Sequence, residues 1–145
     1  MDSIAGYPYC PQALLPRDAA LSLAERFHVL LMDGGMAKVQ AEVAAEPALL
    51  AELLPIVANP EASINVRLGA SVIFERHAGG PALRALVPRL AELAGHADAR
   101  VRADACFYLG LAGEAQAKQW LVPRLQDESA DVREIAADAI EMLGG

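Results

Sequence analysis

Residues 127–143 read Asp-Glu-Ser-Ala-Asp-Val-Arg-Glu-Ile-Ala-Ala-Asp-Ala-Ile-Glu-Met-Leu, and the chain carries nearly the same pattern twice upstream. Val132-Arg133 followed by Ala136, Ala139, Ile140 and Leu143 corresponds to Val101-Arg102 followed by Ala105, Tyr108, Leu109 and Ala112. It corresponds equally to Val66-Arg67 followed by Ala70, Ile73, Phe74 and His77. Counted from the valine, offsets 4, 7, 8 and 11 are the buried stripe of a helix. The copies stand 35 residues (66 to 101) and 31 residues (101 to 132) apart, a period that calls for stacked helical repeats.

Each copy has a partner helix before it that contains a proline: Leu53-Leu54-Pro55-Ile56-Val57, Leu86-Val87-Pro88-Arg89-Leu90 and Leu121-Val122-Pro123-Arg124-Leu125. A proline inside a helix removes one hydrogen bond, so a bend is expected at the same place in every repeat. A polar turn follows, at Asn59-Pro60-Glu61, Gly95-His96-Ala97-Asp98 and Asp127-Glu128-Ser129, and then the Val-Arg helix. Glycines close that helix at Gly79-Gly80, Gly113 and Gly144-Gly145. The repeats therefore span 47–79, 80–113 and 114–145.

Upstream, residues 18–46 form degenerate capping helices. One begins at an Asp18 cap or at a Ser22/Glu25 capping box and ends at Gly34-Gly35, and the next runs from Met36 to Ala45 with Val39 and Val43 inward. Residues 1–17 carry Pro8, Pro11 and Pro16 and suggest an extended arm. The whole of 18–145 is a single domain.

Composition agrees with this division. Hydrophobic residues make up 54% and charged residues 21%, which excludes disorder as the dominant state, and the alanine-rich, aromatic-poor mix favours closely packed helices. A net charge of −7 without a basic stripe argues against a nucleic-acid partner. Two cysteines, Cys10 and Cys106, are too few for a disulfide framework and favour a reduced, cytoplasmic setting. No apolar run approaches a membrane span.

The proline within the first helix, the Asp-Pro-like turn and Val-Arg-x-x-Ala opening the second helix together resemble the HEAT repeat, particularly the short bacterial kind named after phycobilisome lyases. The resemblance covers roughly Pro47 to Gly145 and implies an all-α fold, a right-handed α-solenoid of stacked antiparallel helix pairs. It also implies a structural ladder in which a turn aspartate, best matched by Asp127, meets the arginines Arg67, Arg102 and Arg133. The first repeat departs with Asn59 at the aspartate position, and the second with His96. Those arginines could instead grip a partner's carboxylates, but recurrence at one fixed place in every repeat assigns them to the fold.

Catalytic constellations are not apparent. His28, His77 and His96 have no second histidine or cysteine at helical spacing, so no metal-binding pair is presented. The His-Glu dipeptides through which some helical-repeat enzymes hold iron do not occur. Cys10 lacks a second cysteine two residues away, and no serine sits in a Gly-x-Ser-x-Gly elbow. Neither an enzyme activity nor a cofactor is expected.

The expected function is a protein-interaction scaffold or adaptor that binds on the face lined by the second helices. The alternative is an accessory subunit of an enzyme complex, bilin lyase-like or redox-associated, that contributes to a ligand site. Offsets 2, 6 and 9 lie opposite the buried stripe. They are Leu68, Val72 and Glu75 in the first repeat, Ala103, Phe107 and Gly110 in the second, and Glu134, Asp138 and Glu141 in the third. An apolar strip beside an acidic one suggests a protein or peptide with a hydrophobic anchor and basic residues. The competing reading has Leu68, Val72 and Phe107 covered by a neighbouring helix or by the N-terminal arm.

Overall fold

A computed structural model describes residues 21–145. The expected arm over residues 1–17, with Cys10, and the alternative cap Asp18 lie outside the described residues. Among the described residues all regular structure is helical.

Helix α1 (Leu23–Met32) starts on the capping box: the Glu25 N–H donates to Ser22 Oγ at 3.1 Å, and the Ser22 N–H donates to Glu25 Oε1 at 2.8 Å. Two orphan donors of the first turn are thereby satisfied. Phe27 and Leu31 are its buried residues. The chain reverses at Gly34-Gly35, where the Gly35 N–H donates to the Leu30 carbonyl at 2.7 Å, and continues as α2 (Met36–Ala45), which buries Val39 and Val43. The Arg26 guanidinium forks onto both oxygens of Glu42, at 2.6 and 3.1 Å, and ties the two helices together.

The proline-containing first helices are not single bent helices. Each is two short helical pieces that meet at the proline. A 3-10 turn over Pro47–Leu53 leads into α3 (Leu54–Val57); α5 (Pro81–Arg84) leads into α6 (Val87–Leu93); α8 (Lys118–Leu121) leads into a 3-10 turn over Val122–Gln126. Pro55, Pro88 and Pro123 each stand in the first two positions of the second piece. A residue without an N–H cannot continue the ladder of the first piece, but it costs nothing where a new piece starts, because the N–H groups of a first turn have no helical partner.

The Val-Arg helices are continuous: α4 (Ile64–Glu75), α7 (Ala99–Ala112) and α9 (Ala130–Met142). Offsets 4, 7 and 8 are buried in α4 and α7, while in α9 Ala136 and Ala139 are buried and Ile140 is half-buried. Gly113 ends α7 in the left-handed region, φ 78°, which a side chain rarely adopts. Helix α7 lies between α6 and α9, α4 packs on α1, and one apolar core runs from Phe27 to Ala139.

Candidate interaction surface

One edge of the molecule is formed by the turns that precede the Val-Arg helices, and it repeats more closely than its residue types do. Asn59 Oδ1, His96 Nδ1 and Asp127 Oδ1 each accept from the backbone N–H two residues on, all at 2.9 Å. Three residues before each valine, Ser63, Asp98 and Ser129 accept from the valine N–H at 3.2 to 3.4 Å and cap the helix. An amide, an imidazole and a carboxylate all serve the turn, because the turn needs only an acceptor.

In the partners of the arginines the repeats diverge. Arg102 donates from Nε and Nη2 to the two oxygens of Asp127, both at 2.9 Å, and from Nη1 to the carbonyls of His96 and Ala97. Arg124 adds a third cationic contact to Asp127 at 3.1 Å. These bonds, led by that of Arg102, hold the Asp127 carboxyl below its ordinary range and raise Arg102 above its own. Arg67 finds no turn aspartate in the next repeat, since His96 stands there with Nδ1 occupied. It reaches instead to Asp104, one turn into α7, at 3.1 to 3.3 Å. Arg133 donates to the backbone carbonyl of Asp127 at 2.6 Å.

The face lined by the second helices differs from the offsets expected for the middle repeat. Ala103 and Gly110 are buried, because α9 lies against them: a Cβ on Gly110 would stand 2.9 Å from Cβ of Ala139 and 3.0 Å from its Cα. The open stripe of α7 runs through Asp104, Phe107 and Leu111, all half-buried. Phe107 packs partly onto the core. On α4, Leu68, Val72 and Glu75 are exposed, and on α9, Glu134, Asp138 and Glu141 are exposed.

Leu68 and Val72 are not isolated. With Leu31, Met32, Met36 and Gly69 they line a shallow apolar groove of about 290 Å³ between α4 and the α1–α2 corner. A second groove, of about 490 Å³, lies farther along the face and is lined by Arg67, Arg100, Asp104, Asp131 and Glu134 among others. Sequence periodicity gave no sign of Met32 and Met36, because they belong to the capping helices and to no repeat offset. Asp104 carried no signal either, since neither other repeat has an acid at that offset.

Residues 85–145 match the family model of HEAT repeats. That segment is similar to HEAT repeats. No curated protein matches the chain. The matched HEAT segment contains α6, α7 and α9, the part in which the turn aspartate, its arginine and the close helix packing occur together. The residues before it keep the turn acceptor and the cap but lack the charged turn residue.

Among the described residues no three His, Cys, Asp or Glu side chains converge as a metal site, and no helix is long and apolar enough to cross a membrane. His28, His77 and His96 are all half-buried and stand in different parts of the array. Cys106 is buried, and burial pushes its thiol up to about 11.

Proposed function

We propose that this protein is a non-enzymatic adaptor that takes a protein segment on the face of α4, α7 and α9. HEAT repeats generally mediate protein–protein interactions, and the face carries features suited to one kind of segment. The observation that supports the reading is the division of charge. Arg67, Arg100, Arg102 and Arg133 of the second helices are each committed to a carboxylate or a backbone carbonyl within the chain. Glu75, Glu134, Asp138 and Glu141 make no ion pair among the described residues. The charge left to an incoming partner is negative, and beside it stands the apolar groove of Met32, Met36, Leu68 and Val72.

A segment with one bulky apolar side chain and several Lys or Arg residues complements both features. The apolar anchor would occupy the groove, and the basic residues would lie over Glu134, Asp138 and Glu141. Selection of peptides from a displayed random library on the purified protein tests this. Enriched peptides should combine a large apolar residue with basic residues, and they should lose binding to Leu68→Ser/Val72→Ser and to Glu134→Lys/Asp138→Lys/Glu141→Lys, each melting like the parent. Peptides of another character, or binding untouched by both variants, would overturn the proposal.

A further inference from the structure

The two junctions between the three repeats are built differently. Between the second and third repeats, α7 and α9 meet through small residues with no spare space, as the 2.9 Å approach at Gly110 shows, and the Arg102–Asp127 pair beside them has side chains only 8% and 2% exposed. Between the first and second repeats the second helices are linked mainly by long polar side chains. The Arg67–Asp104 pair is 22% and 27% exposed, and Arg100 reaches the carbonyls of Pro60 and Ala62. The Gly79 N–H donates to the Leu111 carbonyl at 2.8 Å. Apolar contact on this side includes Phe74 against Tyr108, rings 4.3 Å apart and inclined by 32°.

We propose that the array bends at the junction of α4 with α7, while the second and third repeats move as one body. The first-helix layer, where the core is continuous through Leu53, Leu83 and Leu86, acts as the pivot. The second-helix edge opens, with Phe74 sliding on Tyr108. Closure there is marginal for a physical reason. Burial pushes the Asp104 carboxyl up, and Arg67 offsets only part of that effect, so the ion pair does not fully compensate the water Asp104 gives up. An open junction rehydrates both groups. The bend shifts Arg67, the α4 residue of a groove otherwise lined by α7 and the start of α9, and with it changes the separation between the apolar groove on α4 and the carboxylate row on α9. One face can then fit partner segments of different spacing.

Spin-label distances between engineered cysteines on exposed sites, in the full chain with Cys10→Ser, test this. The pair Ala41→Cys/Ala137→Cys spans the junction. The pairs Ala41→Cys/Glu75→Cys and Glu92→Cys/Ala137→Cys lie on either side of it. Raising the salt concentration weakens Arg67 more than the small-residue contacts at Gly110. The spanning pair should therefore broaden and lengthen by a few ångströms in high salt, and do so at low salt in Arg67→Gln, while both control pairs keep one narrow distance. A spanning pair as narrow as the controls at every salt concentration would overturn the bend, and equal broadening of the control across α7 and α9 would overturn its location. The salt series needs no substitution of Arg67, so it stands even if Arg67→Gln fails to fold.

Discussion

Replacing Gly110 by alanine tests the tightest surroundings of any glycine among the described residues. The added Cβ would stand 2.9 Å from Cβ of Ala139, 3.0 Å from its Cα and 3.1 Å from Sδ of Met142. Carbon atoms prefer about 3.5 to 4.0 Å, so α7 and α9 must part by roughly half an ångström or more. Met142 can swing aside, but a helix backbone cannot. Overpacking of this kind costs about 1 to 3 kcal/mol. Alanine returns about 1 kcal/mol through its higher helix propensity. A contact with backbone belongs at the upper end of the strain range, which leaves a net loss of roughly 1 to 2 kcal/mol and a melting temperature lower by about 3 to 6 °C.

Gly69 supplies the control. Its Cβ would also find a neighbour at 3.0 Å, but that atom is Cδ2 of Leu31, the end of a side chain that can rotate. The propensity gain then prevails, and Gly69→Ala should melt no lower than the parent, with up to about 1 kcal/mol of added stability. Urea and thermal unfolding followed by circular dichroism at 222 nm measure both. If Gly110→Ala is as stable as the parent, or if both variants shift in the same direction, the packing of α7 against α9 is not as described.

Arg102→Ala should lose about 2 to 3 kcal/mol, because it strips a near-buried carboxylate of its two-pronged partner, whereas Arg67→Ala, at a partly exposed pair, should lose about 1 kcal/mol or less; comparable losses in urea unfolding would refute the difference between the junctions. The Asp127 carboxyl is held low by Arg102, so the stability it contributes is present above its ordinary value of 3.8 and is lost as pH falls below it. Asp104 works in the opposite sense, since burial raises its carboxyl and acidification relieves that penalty. Acid unfolding monitored by fluorescence should therefore be less steep in Asp127→Asn, and an unchanged acid limb would exclude Asp127 as its source. Cys106, buried with its thiol pushed up to about 11, should react with a thiol reagent at neutral pH only as fast as the helices open, so mass spectrometry should find it unmodified when native and modified in urea.

Periodicity made the helices legible because burial is what spaces apolar residues along them. Val66, Val101 and Val132 lie at the same point of three helices, and offsets 4 and 7 are buried in all three, whereas at offset 11 His77 and Leu143 stand half-buried just past the ends of α4 and α9. The Ser22/Glu25 box and the extent of α2 were equally readable, since each depends on residues within one or two turns of sequence. The open face was less so. Offsets 2 and 9 are outward on an isolated helix, yet on α7 they are Ala103 and Gly110, and small residues there admit α9 until both are covered. Two positions so small at the turns facing the next repeat were the available signal, and helical geometry alone passes over it. Proline placement was legible as a recurring break, but its outcome as two joined pieces depended on where the N–H groups could be left unpaired.

The turn residues show why a degenerate repeat can keep its shape. Asn59, His96 and Asp127 perform one local task equally well, accepting the N–H two residues on, so the turn tolerates exchange among them. The task between repeats does not. It needs a negative charge facing the arginine of the preceding repeat, and Asp127 alone of the three supplies one. Where His96 replaces the charge, Arg67 turns to Asp104, and the bond moves from the turn edge onto the open face. Loss of one carboxylate from a turn thus leaves the local fold intact and moves its consequence to the junction, which becomes more exposed and more polar. The exchange at His96 in the second repeat thereby places a charged pair, Arg67 with Asp104, in the groove on the open face, where an incoming segment would meet it.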